Sequence, residues 1–352
     1  MGKLAVYKYV SMMFLVVQIV VTVFTITALF GGDVNPIGNT SRAMLVYILP
    51  LVIIANVLLL IYWLVRKRWI YAIIPFVTIA CCIPYTGTIF QLRSLDKSAD
   101  SKTGLKIATY NVAMFGRETS GFQALDILAE MRRQKVDVLC MQEYNETSGD
   151  KKNSESYKEY FPYMQVGRED MVIFSRYPIK GNKTILFDDT NNSAMWADID
   201  VKGDVIRVFN VHLQTTGINR TLHQADKLRM QDQNVSNSRI LDAIYGNYTL
   251  GMMFRVGQAV TVANEKRSSE KPCIVCGDFN DVPYSYVYNT MLGEMVDGFR
   301  ECGSGFMYTM RDSKKPVRID YIFHDQSLKG LTYYKGELTN SDHFPVFMKI
   351  AL

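Results

Sequence analysis

Three apolar runs lie back to back within the first 90 residues of this 352-residue chain, and no other feature restricts its fold so strongly. Val10 to Phe30 holds no charged residue, and a helix of about 20 apolar residues is what a bilayer requires. Met44 to Val65 repeats the pattern and runs straight into Arg66-Lys67-Arg68. Trp69 opens a third run to about Phe90, interrupted by Pro75, Pro84 and Gly87. Neighbouring helices can satisfy the backbone of a kinked span in lipid. Lys3 and Lys8 also suit a signal peptide, but the length of the first run and the runs that follow favour an uncleaved anchor. Residues 1–95 are therefore expected to form a membrane region of about three transmembrane helices, at 10–30, 44–65 and 69–90.

Lys3, Lys8 and the 66–68 cluster are expected on the cytoplasmic side, because Arg42 is the sole basic residue of the 31–43 loop. Three crossings then place the rest of the chain outside: periplasmic at a bacterial inner membrane, extracellular otherwise. Two crossings would leave it cytosolic. A glycosylation pattern, Asn145-Glu-Thr147, sits two residues past Glu143, where a glycan would crowd a cleft; this fits a bacterial envelope better than a glycosylating lumen.

Met1 to Leu95 carries seven basic residues against Asp33, a net +6, while the whole chain is +5; everything from Asp96 onward is thus −1. A near-neutral remainder argues against a broad nucleic-acid-binding surface. Lys151, Lys152, Arg220, Lys227 and Arg229 are candidates for a local basic patch, although solvated surface charge is their commoner role. The six cysteines form no disulfide framework. Cys81 and Cys82 lie in the third apolar run, and strand alternation points Cys273 and Cys276 to opposite faces. A zinc ribbon would need a second such pair.

Residues 96–104 are expected to link the membrane region to one domain, 105–352. Strand-like runs recur there at 105–110, 136–142, 171–175, 196–201, 205–213, 273–277, 319–323 and 346–351, with amphipathic helical stretches at 122–134 and 255–266. This alternation predicts a mixed α/β sandwich. Residues 215–248 are polar and read as helix plus a long surface loop.

Polar residues close these runs with unusual regularity. The first ends in Asn111, the second in Gln142-Glu143, the fifth in Asn210-Val-His212. Cys273-Ile-Val-Cys runs into Gly277-Asp278-Phe279-Asn280, and Pro283 forbids its continuation. Arg318-Ile-Asp320 places an acid in a strand, a costly site for an unpaired charge. Ser341-Asp342-His343-Phe-Pro345 precedes the last run. Each has a bland reading: Asn111, Asn280 and Asp342 as turn or helix caps, Glu143 in a solvated loop, His212 as a hydrogen-bonded core residue, Asp320 paired with Arg318. Their joint occurrence at strand ends of one domain favours a site.

In order and local context these pieces resemble the endonuclease/exonuclease/phosphatase family, which includes deoxyribonuclease I, apurinic endonucleases and neutral sphingomyelinases. The matching strings are Thr109-Tyr-Asn-Val112, Met141-Gln-Glu-Tyr144, Asn210-Val-His-Leu213, Gly277-Asp-Phe-Asn-Asp281, Arg318-Ile-Asp-Tyr-Ile322 and Ser341-Asp-His-Phe-Pro345. The resemblance implies a four-layer sandwich, two mixed β-sheets flanked by helices, and a divalent-metal phosphoesterase. It implies Glu143 as the main ligand of Mg²⁺ or Mn²⁺, with Asn111 and Asp342 nearby; hard oxygen donors suit those ions. Ala113 departs from the pattern, since apurinic endonucleases carry an acidic ligand there, and the string 111–116 is closer to deoxyribonuclease I.

On that reading a cation neutralises the phosphodiester while water attacks in line. His343 is the expected general base, oriented by Asp320. Asp278 and Asn280 would position the water and support the phosphorus, with Asn111, Asn280 and His212 contacting substrate. His212 would donate to a phosphate oxygen or assist the leaving group; the two histidine roles are interchangeable at this level. Membrane tethering slightly favours a lipid or small phosphodiester over DNA or RNA, and no obligate protein partner is evident. The rival of another class, a catalytically inactive membrane module, is disfavoured by the complete set Glu143, Asp278, Asn280, Asp320 and His343.

Overall fold

The computed structural model describes residues 3–94, 102–116, 122–144, 151–168, 170–188, 190–231, 236–311 and 316–352. Most of the expected linker (96–101 of 96–104) and Asn145-Glu-Thr147 lie outside them. The chain forms two compact units, Met1–Thr88 with Pro283–Asn289, and Ile89–Val282 with Thr290–Leu352.

The first unit opens with α1 (Lys3–Leu29), α2 (Thr40–Ala43), α3 (Leu49–Val65), α4 (Trp69–Cys81) and α5 (Ile83–Thr86). The helical stretches Val6–Asp33 and Thr40–Val65 are long and apolar enough to cross a membrane. Many large apolar side chains on them, such as Val16, Val20, Leu51 and Leu58, are exposed. Enclosed between the helices are polar groups instead. Asn56 Nδ2 donates to Thr25 Oγ1 at 2.8 Å, Gln18 Nε2 to Asn56 Oδ1 at 3.1 Å, and Thr22 Oγ1 meets Thr78 Oγ1 at 3.3 Å. Apolar outside and polar inside is the arrangement of helices that pack in lipid. The third run differs from the expected single span. It folds as α4, with Pro75 inside it, and then the one-turn α5. Thirteen residues of α4 reach only about 20 Å, less than the ~30 Å hydrocarbon layer.

The remaining elements, in chain order, are β1 (Phe90–Gln91), β2 (Leu105–Asn111), α6 (Ala113–Gly116), α7 (Phe122–Arg133), β3 (Val138–Gln142), α8 (Lys151–Tyr160), β4 (Tyr163–Val166), β5 (Val172–Ser175), β6 (Ile179–Leu186), β7 (Ser193–Val201), β8 (Asp204–His212), α9 (Ile218–Met230), α10 (Asn237–Arg267), β9 (Cys273–Asp278), α11 (Tyr286–Leu292), β10 (Val296–Asp297), α12 (Gly298–Cys302), β11 (Gly305–Phe306), β12 (Asp320–His324), β13 (Lys329–Lys335) and β14 (Val346–Ala351). Among the described residues two six-stranded sheets result, in the orders β13-β14-β2-β3-β5-β4 and β10-β12-β9-β8-β7-β6, beside a two-stranded ribbon of β1 and β11. Both are mixed, because β2 pairs parallel with β3 and β8 with β9.

Alternation along the central strands builds the layers. Leu105, Ile107, Val138 and Cys140 of the first sheet join Ala197, Ile199, Val208, Ile274 and Ile322 of the second in one core. The intervening Ala108, Tyr110, Leu139 and Met141 face the other way and pack with Ala124, Ile127 and Met131 of α7. Strands covered on both faces have no polar side, so they read as continuous apolar runs. Polar pegs also cross between the sheets. Gln142 Nε2 donates to Asn210 Oδ1 at 2.6 Å, and Asn210 Nδ2 returns to the Met141 and Val172 carbonyls. All these groups are buried, so the pegs add direction to an otherwise apolar interface. The fold is the expected four-layer sandwich.

Candidate active site

Strand pairing alone brings the acids together. Asp278, the last residue of β9, lies opposite Asp320, the first of β12, and beside His212, the last of β8. In the other sheet Asn111 ends β2 next to Gln142 at the end of β3, and Glu143 follows. Gly277 permits the crowding. Its φ is +138°, and a Cβ there would stand 1.9 Å from the Val211 carbonyl oxygen. Glu143 and Asn280 also hold positive φ, +51° and +52°. Asn tolerates that region, whereas for Glu it stores about 1 kcal/mol or more of strain, of the kind that gathers at functional sites.

Asp278 is the hub. Its Oδ2 accepts from Asn111 Nδ2 and from Asn280 Nδ2, each at 3.1 Å, and lies 3.7 Å from His343 Nε2. Asn111 Nδ2 is also 3.1 Å from Glu143 Oε1. His343 Nδ1 stands 2.9 Å from Asp320 Oδ2, which fixes the tautomer with Nε2 turned toward the acids. Two residues to which the sequence assigned no role hold this arrangement. Ser341 Oγ donates to the Asn111 carbonyl at 2.7 Å and accepts from His343 N. Thr309 Oγ1 accepts the backbone N–H groups of Ile319 and Asp320. Arg318, considered above as a partner for Asp320, instead grips Asp297 through two bonds of 2.7 and 2.6 Å.

A second His–acid pair faces the first. His212 Nδ1 lies 2.8 Å from Asp170 Oδ2, and His212 Nε2 lies 3.9 Å from Glu143 Oε1. Asp170 escapes sequence reading because it is one acid in a short turn before β5, 42 residues from its partner. The turn itself is tied to the site, since Asp170 O accepts from Tyr144 N at 2.9 Å. Asp342 sits apart. Its side chain is exposed, and its carboxylate meets Ser341 Oγ at 3.3 Å rather than Glu143 or Asn111. Asn280 donates both N–H groups, to Asp278 and to the Leu213 carbonyl, so Oδ1 is the acceptor of that amide.

Electrostatics follow from the crowding. Burial, and the Asp320 charge, outweigh the two imidazoles and push Asp278 up to about 6. Burial works against a charged His343, but Asp320 and Asp278 overcome it and raise His343 to about 10. Burial likewise opposes charge on His212, and Asp170 outweighs it, raising that histidine too. Glu143, Asp278 and Asp320 thus crowd one cleft, with the His212 and His343 imidazoles against them. Asp278, Asp320 and His343 alone bring three ligand atoms within 4.8 Å of one another. Hard oxygens in excess of positive charge are the donor set of a divalent cation. Glu143, about one third exposed, is the carboxylate best placed to offer a free oxygen.

A sequence model of the endonuclease/exonuclease/phosphatase family matches residues 108–343. The chain belongs to the endonuclease/exonuclease/phosphatase family. Members of this family are hydrolases of phosphoester bonds. A second model, described as a domain of unknown function, matches residues 11–89. No curated protein matches the chain in sequence. Among solved structures, TDP2 of D. rerio complexed with single strand DNA product is 15% identical, with 71% of this chain and 100% of that chain covered and a TM-score of 0.50. The endonuclease/exonuclease/phosphatase of Beutenbergia cavernae is 17% identical, with 71% and 72% covered and the same TM-score of 0.50. The mannosyl-6-phosphatase Bt3783 of Bacteroides thetaiotaomicron is 18% identical, with 70% and 100% covered, at 0.49. These likenesses are ones of fold.

Proposed function

We propose that this family member is a membrane-anchored phosphodiesterase that depends on Mg²⁺ or Mn²⁺. The observation that carries the reading is the His343–Asp320 pair, 2.9 Å apart, with the free Nε2 directed at Asp278. Asp320 holds the ring so that Nε2 accepts a proton from water as that water attacks phosphorus. Asp278 and the Asn280 Oδ1 hold the water in line. His212, whose charged form Asp170 favours, donates to a phosphate oxygen or to the leaving oxygen. Glu143 would hold the cation, with Asp342 at the rim, while Asn111, whose Nδ2 donates to Glu143 and Asp278 and whose Oδ1 accepts from Ala113 N, would steady those carboxylates. A cation held there would offset the phosphate charge and disfavour the His343 imidazolium.

The exposed apolar faces of α1 and α3 support an anchor embedded in lipid, as does their buried polar lining. We read Lys3, Lys8 and residues 66–68 as cytoplasmic; if α4 and α5 together complete a third crossing the hydrolase lies on the outer side of a bacterial inner membrane, and with two crossings it lies in the cytosol. Tethering raises the local concentration of headgroups, and the −1 charge from Asp96 onward does not favour long polyanions. A lipid or small phosphodiester is therefore the preferred substrate over nucleic acid.

The test uses the full chain in detergent with Mg²⁺. A sphingomyelin-like lipid should turn over and duplex DNA should not; cleavage of DNA alone refutes the substrate preference. His343→Ala and Glu143→Ala should each abolish hydrolysis of a chromogenic phosphodiester. Undiminished activity in either would refute the roles given to them. Protease added to spheroplasts should remove the hydrolase domain, and its survival there would place the domain in the cytosol.

A further inference from the structure

α10 carries an enclosed arginine that the reaction above does not use. Arg255 is fully buried; its Nε donates to Asp281 Oδ2 at 3.2 Å and its Nη1 to the Gln214 carbonyl at 3.0 Å. Asp281 directly follows Asn280, and Gln214 directly follows Leu213. Asn280 itself donates to the Leu213 carbonyl at 3.0 Å. Two ties thus join the loop after β8 to the loop after β9 at neighbouring residues. One is made by Asn280 at the cleft, the other by Arg255 behind it. Tyr321 Oη holds the Asp281 carbonyl from the β12 side at 2.8 Å. The helix also runs unusually close, since a Cβ on Gly251 would stand 2.7 Å from the Thr215 carbonyl oxygen.

Stability does not call for an ion pair here. Two charges at this depth lose much hydration, and an apolar pair of similar volume often serves as well. A guanidinium fork supplies what an apolar pair lacks: a fixed separation and direction between the groups that it joins.

We infer that Arg255 is a positioning residue for Asn280 and Asp278. It sets the distance between the two loops that Asn280 must span, and so keeps the amide and the hub carboxylate aimed at the attacking water. The inference rests on the hydrolase reading above.

A cycle of variants tests it, with kcat and KM measured on a chromogenic phosphodiester using the full chain in detergent with Mg²⁺. Arg255→Lys keeps the charge but loses the fork. It should lower kcat by about 10- to 100-fold, since misplacement by about 1 Å costs that much, with KM nearly unchanged. Combined with Asn280→Ala it should add almost no further loss, because the group that it positions is gone. Losses that multiply in the double variant mark a merely structural role and overturn the inference, as does an unchanged kcat in Arg255→Lys. Asp281→Asn repeats the cycle from the other end of the pair. If neither variant folds by circular dichroism, the pair belongs to domain stability and the inference fails. His343→Ala is the control: if it matches the wild type, the hydrolase reading itself falls, and this inference with it.

Discussion

Asp170 Oδ2 lies 2.8 Å from Nδ1 of His212, while the other ring nitrogen of His212 looks toward Glu143. The cleft therefore holds two histidines, each turned by its own acid, on opposite sides of Asp278. Such duplication suits a reaction in which one proton is taken and another is given.

Asp170→Asn tests the giving half. Asp170 raises His212 against the effect of burial, which keeps the donor form populated to higher pH. Without that charge His212 titrates lower. Activity should then fail at the alkaline side, with the descending limb of kcat against pH moved downward and the maximum about 10- to 1000-fold lower. An unmoved limb removes His212 from the role of donor.

Asp320→Asn tests the taking half, with the opposite limb. His343 accepts a proton only when neutral, so activity rises with pH through its pKa. Asp320 and Asp278 raise that pKa. Removing the Asp320 charge lowers it, and the ascending limb should move to lower pH while the peak rate falls. A profile that keeps its ascending limb in place would separate His343 from that limb.

Stability has its own acid limb, away from the cleft. Burial opposes the Asp198 charge, but Arg207 at 2.7 and 2.9 Å and Lys271 at 3.3 Å outweigh it, so the folded pKa is depressed. A depressed carboxylate contributes stability above its unfolded pKa of about 3.9, and that contribution is lost as pH falls through the folded value. Asp198→Asn should melt a few degrees below the wild type at pH 7, for a loss of about 1–2 kcal/mol. Below about pH 3 the two melting curves should converge. A gap of constant size across pH would exclude the ion pair as its source.

Gly277→Ala should cost more than any surface change. Both the positive φ and the 1.9 Å approach to Val211 O forbid a side chain, so β9 must move away from β8. Because that joint carries Asp278 and His212, phosphodiester turnover should fall by at least about 100-fold even where the protein still folds. Near-normal turnover would mean that the joint can shift without disturbing the acids.

Much of this was legible because the signals were local. Central strands are covered on both faces, so 105–111, 273–278 and 346–351 announced themselves as apolar runs, and the polar residues closing them stood out. Of the strands that went unread, β4, β6, β10 and β13 lie at sheet edges, and β1 and β11 form a two-stranded ribbon of their own. An edge strand keeps Lys180, Asn182 and Lys183 in water, and its pattern dissolves into that of a loop. The polar stretch 215–248 was rightly helical in part, but α10 begins at Asn237, well before the apolar face that marked residues 255–266. Asp170 and Arg255 were invisible for another reason. Their value lies in partners 42 and 26 residues away, and one sequence holds no record of such pairings.

The pegs formed by Gln142 and Asn210 join sheets that each own half of the chemistry. Asn111 and Glu143 belong to one sheet, His212, Asp278 and Asp320 to the other, and the cleft is the seam where they meet. Neither sheet alone is a weakened enzyme; each is no enzyme at all. On the proposed reading, hydrolytic power would appear only when the two sheets dock, and neither half of a chain still folding would possess it.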